Sequence, residues 1–186
     1  MKEFLEFLFQ GSDGFIATAY RKPQEGGKDK WINKYNSTSD IDKVVAETLQ
    51  ADAAGYDCYI VPAVLKEKSR RKYAFKESHV AWIDYDGSEA LEFKIEPSAV
   101  VESSPGHFHA YWRTDEPMTS IQTELTNQAL AELHSADSSG WDCTQLLRLP
   151  YTQSKKRGCP VVLTKLGVET YGVYELPKTW DLHLYV

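Results

Sequence analysis

Three segments of the chain have the pattern expected of α-helices. Lys2–Phe9 and Thr119–His134 place apolar side chains three and four positions apart, the spacing that lines one face of a helix. A third helix is predicted to begin at Ser39 or Asp40, either of which can cap it, and to end before Gly55. The sequence therefore predicts a short N-terminal helix and two longer ones.

Strand-like patterns occupy much of the rest of the chain. The predicted strands are Gly14–Tyr20, Tyr56–Val61, Val80–Asp84, Ala99–Ser103, Phe108–Arg113, Cys159–Thr164 and Tyr171–Leu176. Arg21–Asn36 is polar and contains glycine, which predicts a long loop or a hairpin. Strands interleaved with helices predict an α+β or α/β fold with a mixed sheet. Because no linker tract divides the 186 residues, we expect one domain over residues 1–186.

The charge of the chain is informative once its distribution is considered. Asp and Glu number 27 against 21 Lys and Arg, and the resulting −6 taken alone argues against a nucleic-acid-binding protein. However, Arg21–Lys34, Lys66–Lys76 and Tyr151–Lys165 together carry +12, which leaves −18 for the remainder. The densest acidic stretch is Glu77–Glu102. Basic loops around an acidic centre suit a polyanion held near bound metal ions.

Several classes of protein are excluded by what the sequence lacks. Three cysteines without Cys-x-x-Cys spacing argue against a disulfide scaffold or a zinc site and fit a reducing cytoplasm. Neither a secretory signal nor an apolar run of about 18 residues occurs, so a cytoplasmic protein without membrane attachment is expected. There is no Gly-x-x-x-x-Gly-Lys-Ser/Thr loop and no Gly-x-Gly-x-x-Gly, so the sequence supports neither P-loop ATPase nor Rossmann chemistry.

Two aspartates stand where an apolar strand ends. Asp84 and Asp86 follow Val80–Ile83 at i and i+2, which points both side chains to the same face of a strand. Adjacent carboxylates suit Mg²⁺ or Mn²⁺ and favour a centre with two metal ions. The alternative is a surface turn in which Asp86 and Gly87 simply reverse the chain.

A second motif, Ser103–His109, joins two predicted strands. Gly106 permits close approach of the backbone to a ligand, and Ser104 can donate a hydrogen bond to a phosphate. His109 can contact a bound triphosphate. His107 and His109 also form a His-hydrophobic-His pair of the kind that binds metals, although one exposed and one core histidine would give the same pattern.

A third segment sets an acid upstream of several cations. Asp142 is a candidate for a third metal ligand, with Arg148 and Lys155 holding phosphates as a planar fork and a point charge. A capped turn followed by ordinary surface lysines is the alternative.

In order and spacing, these three segments resemble the archaeo-eukaryotic primase superfamily, particularly the primase-polymerase domains of phage and plasmid replication proteins. The family pattern is a hydrophobic-Asp-x-Asp strand, then Ser-x-Gly-x-x-His, then an Asp preceding Arg-x-Pro-Gly-Thr-x-Asn-x-Lys. The matching residues are Asp84, Asp86, Ser104, Gly106, His109, Asp142, Arg148, Pro150, Thr152 and Lys155. The chain departs from the pattern at Tyr151, where Gly is usual, and at Ser154, where Asn is common.

The resemblance implies an RRM-like mixed sheet joined to an N-terminal α/β unit. It implies Asp84, Asp86 and Asp142 as ligands of two divalent ions, Mg²⁺ or Mn²⁺. The residues that it places at the triphosphate of an incoming NTP or dNTP are Ser104, Gly106, His109, Arg148 and Lys155. The activity it implies is template-directed nucleotidyl transfer, which makes or extends primers in phage or plasmid DNA replication.

The expected partners follow from the same resemblance. A single-stranded DNA template and a primer are expected, and the basic residues assigned to DNA are Lys68, Arg70, Arg71, Lys72, Lys156 and Arg157. Family members often carry a helicase, so the chain is expected to be the catalytic domain of a longer primase-helicase protein or to have a helicase partner. The isolated domain is expected to be a monomer.

Two other functions remain open. A replication-initiation nickase would use His107 and His109 for one metal and a tyrosine such as Tyr151 as nucleophile, but it leaves Asp84 and Asp86 unexplained. A non-catalytic RRM-like module would stack bases on strand aromatics and would bind without metal.

Overall fold

The computed structural model describes residues 1–87 and 92–179, and its helices lie close to the predicted positions. They are α1 (Lys2–Phe9), α2 (Ile41–Ala53) and α3 (Ser120–Leu133), with a short 3₁₀ helix over Lys72–Ala74. At the start of α3 the Thr119 hydroxyl accepts a hydrogen bond from the amide of Gln122, whose side chain accepts one from the Thr119 amide. This capping box fixes the beginning of α3 because it satisfies two amides that have no partner within the helix.

Ten strands within the described residues form one curled sheet. They are β1 (Phe15–Lys22), β2 (Lys30–Ser37), β3 (Asp57–Ile60), β4 (Val64–Leu65), β5 (Phe75–Tyr85), β6 (Ala99–Ser104), β7 (His107–Met118), β8 (Leu147–Arg148), β9 (Thr152–Ser154) and β10 (Cys159–Leu166). Their order is β8-β3-β1-β4-β5-β7-β6-β10-β9, and β2 pairs with β1 outside this path. The paired strands run antiparallel, and one isolated parallel bridge joins Thr114 to Tyr171.

The helices cover the sheet and hold the strands that carry the candidate site. In α1, Phe4 packs edge-on against Tyr111 of β7, with ring centroids 5.4 Å apart. On β5, the backbone amide of Trp82 donates to Asn127 of α3 at 2.8 Å, and its indole donates to the carbonyl of Gly140 at 3.2 Å. These buried hydrogen bonds tie β5, α3 and the loop after α3 together immediately before Asp84.

The structure confirms the α+β class and corrects several element assignments. Arg21–Asn36 lies within a hairpin, one of the two predicted alternatives, in which β1 and β2 pair over eight residues each. The strand predicted over Tyr171–Leu176 is wrong: Tyr171 forms a single bridge, and Gly172 and Glu175 then close a turn. The short strands β4, β8 and β9 were not predicted because two or three residues cannot show an alternating pattern.

No helix within residues 1–87 and 92–179 is long and apolar enough to cross a membrane.

Candidate active site

Two aspartate–histidine pairs lie where β5 and β7 run side by side. Asp84 on β5 stands directly opposite His109 on β7, and cross-strand partners of this kind share one face of the sheet. The Nε2 atom of His109 lies 3.5 Å from Oδ1 of Asp84, and Nδ1 of His107 lies 2.7 Å from Oδ1 of Asp86. The first two motifs are therefore brought together by strand pairing.

The turn between β6 and β7 lies beside these pairs. Gly106 has φ of +79°, a left-handed conformation that favours glycine, and a Cβ built on it would lie 3.5 Å from the carbonyl oxygen of Gly87. Ser104 is buried, and the hydroxyl of Ser103 donates to the carbonyl of His107 at 3.3 Å. The turn is held compactly against the end of β5.

A cavity of about 140 Å³ joins this acidic region to cationic residues from later in the chain. Its lining residues are Tyr59, Asp84, Asp86, Ser103, Ser104, His107, His109, Leu146, Arg148, Lys156 and Arg157. All three predicted motifs contribute to it. The cavity places carboxylates, imidazoles and guanidinium groups within one cleft. Such a cleft could hold a small anion together with metal counter-ions.

The carboxylate of Asp84 carries uncompensated negative charge. The pKa of Asp84 is raised to about 7, first by burial and then by the neighbouring charges of Asp86 and Asp137, while His107 and Arg148 partly offset this rise. A divalent cation would relieve this repulsion. The donor set of carboxylate oxygens suits Mg²⁺ or Mn²⁺.

His109 is present as a neutral imidazole with a free ring nitrogen. Its pKa is lowered to about 3, mainly by burial and then by the positive charge of Arg148. Its Nδ1 atom is buried and has no hydrogen-bond partner among the described residues. Since an unpaired buried polar atom is costly, this nitrogen is suited to a ligand that enters the cleft.

On the cationic side of the cleft, a fully buried carboxylate positions Arg148. Asp57 on β3 accepts hydrogen bonds from Arg21 at 2.7 Å, from Arg148 at 2.8 Å and from the backbone amide of Lys155 at 2.7 Å. Burial of Asp57 raises its pKa, but the hydrogen bonds from Arg148 and Arg21 outweigh burial, so that the pKa is lowered overall. Arg148 also lies over the ring of Tyr59, 5.0 Å from its centroid.

The ammonium group of Lys155 does not reach the described cavity wall. Its Nζ atom forms an ion pair with Asp52 at 2.8 Å. Lys156 and Arg157, which were predicted to bind DNA, line the cavity instead. Of the predicted phosphate-binding residues, Ser104, His109 and Arg148 line it, while Gly106 belongs to the adjoining turn.

Asp142, the predicted third metal ligand, has contacts with its own loop and with α3. Its carboxylate accepts hydrogen bonds from the amide and hydroxyl of Thr144 at 2.7 and 2.6 Å, and its ligand atoms lie within 4.8 Å of those of Glu124 and Cys143. Asp142 is not part of the described cavity lining. Its assignment as a metal ligand stays a prediction.

Asp137, which was not among the predicted site residues, lies beside Asp84. Its backbone amide donates to the carbonyl of Asp84 at 2.8 Å, and its charge contributes to the raised pKa of Asp84. Gly140 permits this approach, because a Cβ built on it would lie only 3.1 Å from the Cβ of Asp84. The feature of the sequence that could have indicated Asp137 is an acidic residue in the Gly-containing loop directly after α3.

The basic segment Lys66–Lys76 contributes no described residue to the cavity. Lys72 forms an ion pair with Glu124 at 2.6 Å and lies 5.9 Å from the ring centroid of Trp141, while Lys68 lies over Phe15. Arg70 and Arg71 have no side-chain ion pair with any described residue. The assignment of this segment to DNA stays a prediction.

Tyr151 keeps the backbone conformation that a glycine would adopt. Its φ is +65°, in the left-handed region that L-residues rarely adopt. Glycine is usual at this position in the resembled family, and the positive φ of Tyr151 is a conformation that glycine favours. Tyr151 is half exposed and is not among the residues that line the described cavity.

Comparisons with known proteins bear on the family and the fold. The sequence model of the RepB DNA-primase N-terminal domain matches residues 60–168. No curated protein sequence gives a significant match.

Three solved structures share the fold. The AEP domain of the cyanophage S-2L primase-polymerase has a TM-score of 0.76 at 16% identity, over 94% of this chain and 96% of that one. Primase RepB′ has a TM-score of 0.69 at 17% identity, over 94% of this chain and 60% of that one. The catalytic domain of RepB′, solved in complex with initiator DNA, has the same TM-score and identity over 94% and 90%. The predicted primase-polymerase fold is thus confirmed.

Proposed function

The chain belongs to the RepB DNA-primase N-terminal domain family, and from this premise we propose that it catalyses template-directed nucleotidyl transfer. It would make or extend primers from nucleoside triphosphates during phage or plasmid DNA replication. The supporting observation is the single cavity that Asp84, Asp86 and His109 share with Arg148 and Arg157. Phosphoryl-transfer sites combine carboxylates for metal ions with cations for the triphosphate in this way.

Divalent ions, Mg²⁺ or Mn²⁺, would be held by Asp84 and Asp86, with Asp137 as the third carboxylate. The raised pKa of Asp84 and the backbone contact between Asp84 and Asp137 support this set. When bound, such ions supply Lewis-acid activation of the attacking 3′-hydroxyl and neutralise charge at the leaving pyrophosphate. Both carboxylates also order their own loops, since Asp137 accepts from Ser139 and Asp142 accepts from Thr144, so it is the nearness of Asp137 to Asp84 that favours Asp137.

The chain's own cations and donors would hold the triphosphate. Arg148 would present its free guanidinium edge to a phosphate while Asp57 fixes the other edge. The neutral imidazole of His109 and the hydroxyl of Ser104 would donate hydrogen bonds to phosphate oxygens. Lys156 and Arg157, which are exposed at the cleft, would attract the nucleotide or the DNA backbone.

A nucleotide-incorporation assay tests the proposal. Labelled NTPs or dNTPs are supplied with a single-stranded template, with and without primer, in Mg²⁺ and in Mn²⁺. We expect template-dependent products from the wild-type chain, and no covalent protein–DNA adduct. A covalent adduct without nucleotide incorporation would instead support the nickase, and metal-independent DNA binding without incorporation would support the binding module.

Two matched variants distinguish the candidate third carboxylates. Asp137→Asn is expected to reduce incorporation by about a hundredfold or more, because it removes a charge beside Asp84. Asp142→Asn is expected to retain most activity, since the side-chain carbonyl oxygen of asparagine can still accept a hydrogen bond from Thr144. The reverse order of effects would restore Asp142 as the metal ligand.

A further inference from the structure

One face of the N-terminal part of the sheet gathers aromatic and cationic side chains. Trp31 on β2 stands opposite Arg21 on β1, and Arg21 stands opposite Asp57 on β3. Tyr59 lies two residues after Asp57 and stands opposite Arg148 on β8. Directly opposed residues share a face, as do residues two apart in a strand, so these five side chains belong to one face.

These residues form a continuous row from the cavity to the edge of the sheet. Arg148 and Tyr59 both line the cavity, and the guanidinium of Arg148 lies 5.0 Å from the centroid of the Tyr59 ring. The Tyr59 ring in turn lies 5.7 Å from the ring of Trp31, with an interplanar angle of 34°. The row therefore ends at the indole of Trp31.

Trp31 is 47% exposed although it is one of the largest apolar side chains in the chain. Its strand neighbour Ile32 packs against the core on the opposite face, so the exposure of Trp31 is fixed by strand alternation. Lys28, in the turn that leads into β2, is exposed and has no ion pair with any residue that the structure describes. Lys30 is also exposed, but strand alternation directs it to the face opposite Trp31. A flat aromatic surface beside an unpaired cation is complementary to a base and its phosphate.

We propose that Trp31 is a base-stacking site for single-stranded nucleic acid at the entrance to the cavity. A base stacks on the indole, Tyr59 supports the indole from within the sheet, and Lys28 contacts a flanking phosphate. The inference rests on the proposed function in that the bound strand would be the template. Binding at this site needs neither a metal ion nor a nucleotide.

The direct test is equilibrium binding of a fluorescently labelled oligothymidylate of about twelve nucleotides in the presence of EDTA. Trp31→Ala is expected to weaken binding about tenfold, because one base loses its stacking partner. Trp31→Phe keeps an aromatic surface and is expected to recover most of the affinity. Tyr174→Ala removes another exposed aromatic, which lies in the turn after β10, and is expected to bind like wild type.

Tryptophan emission provides a second, independent measurement. Stacking of a base on Trp31 is expected to quench part of the emission on oligonucleotide binding, and Trp31→Phe is expected to lose that part while still binding. Trp82 and Trp112 are fully buried and are expected to contribute nothing to the change. Thermal melting of Trp31→Ala establishes that the variant is folded at the temperature of measurement.

Several outcomes would overturn the inference. These are wild-type affinity in a folded Trp31→Ala, absence of oligothymidylate binding by the wild type, or a Trp31→Ala defect confined to binding of a nucleoside triphosphate supplied alone. Failure of the proposed function is separately recognisable. A wild-type chain that binds DNA through Trp31 but incorporates no nucleotide would refute polymerisation and leave the stacking site standing.

Discussion

Two aspartates beside the same cleft have opposite electrostatic environments. Asp57 is fully buried, yet its pKa is lowered because two arginines and a backbone amide donate to it. Asp84 retains 23% of its side-chain exposure, yet its pKa is raised to about 7 by burial and by neighbouring carboxylates. Burial alone therefore does not distinguish the two sites; the presence or absence of compensating cations does.

This difference separates a positioning role from a chemical one. The ion pair with Asp57 holds Arg148 in place, and because it neutralises the Asp57 carboxylate, Asp57 has little tendency to bind another cation. Asp84 lacks a full cationic partner within the described residues, so a cation from solution is the natural complement. Arg148 connects the two aspartates, since it donates a hydrogen bond to Asp57 and its positive charge also lowers the pKa of Asp84.

The largest expected effect is on activity at Asp84. Asp84→Asn is expected to lower nucleotide incorporation about a thousandfold or more, because a metal-binding charge is lost. The same variant is expected to raise the melting temperature of metal-free protein by about 2–4 °C, because repulsion from Asp86 and Asp137 is removed. Calorimetry and the incorporation assay measure the two effects, with exposed Asp115→Asn on β7 as the control. Unchanged incorporation would remove Asp84 from the active site.

Asp57 is expected to show a different combination of effects. Asp57→Ala leaves Arg21 and Arg148 without their buried partner and is expected to lower the free energy of unfolding by about 2–3 kcal/mol. Urea denaturation measures this loss. Asp42→Ala, which removes the exposed partner of Lys2, serves as the matched control and is expected to leave the urea midpoint unchanged. Equal midpoints for the two variants would mean that the Asp57 network adds no stability.

The smallest expected effect is in the acid dependence of stability. The folded-state pKa of Asp57 lies below its ordinary value, so its stabilising contribution is complete above that ordinary value, about 3.9. The contribution is lost as pH falls through the lowered folded-state pKa. The difference in unfolding free energy between wild type and Asp57→Asn is therefore expected to shrink below about pH 4. A difference independent of pH down to pH 2 would contradict an ionised Asp57 in the folded chain.

The sequence predicted Asp84 and His109 because their signals are local. An i, i+2 spacing at a strand end fixes which face the side chains take, and strand pairing then brings the two motifs together. Asp57 could not be identified in this way, since its partners lie 36, 91 and 98 residues away in sequence. The choice between Asp137 and Asp142 likewise depends on how the loop after α3 packs against β5, which spacing does not determine.

The sheet order has a consequence for the folding pathway. β8 and β9 occupy opposite ends of the order, yet only three residues, Leu149 to Tyr151, separate them in sequence. β8 must find β3 across almost ninety residues of chain, and such non-local pairings form slowly because loop-closure entropy opposes them. We therefore expect β5 and β7 to bring Asp84 and His109 together before β8 places Arg148 beside Asp57, so that the proposed triphosphate site would be completed late in folding.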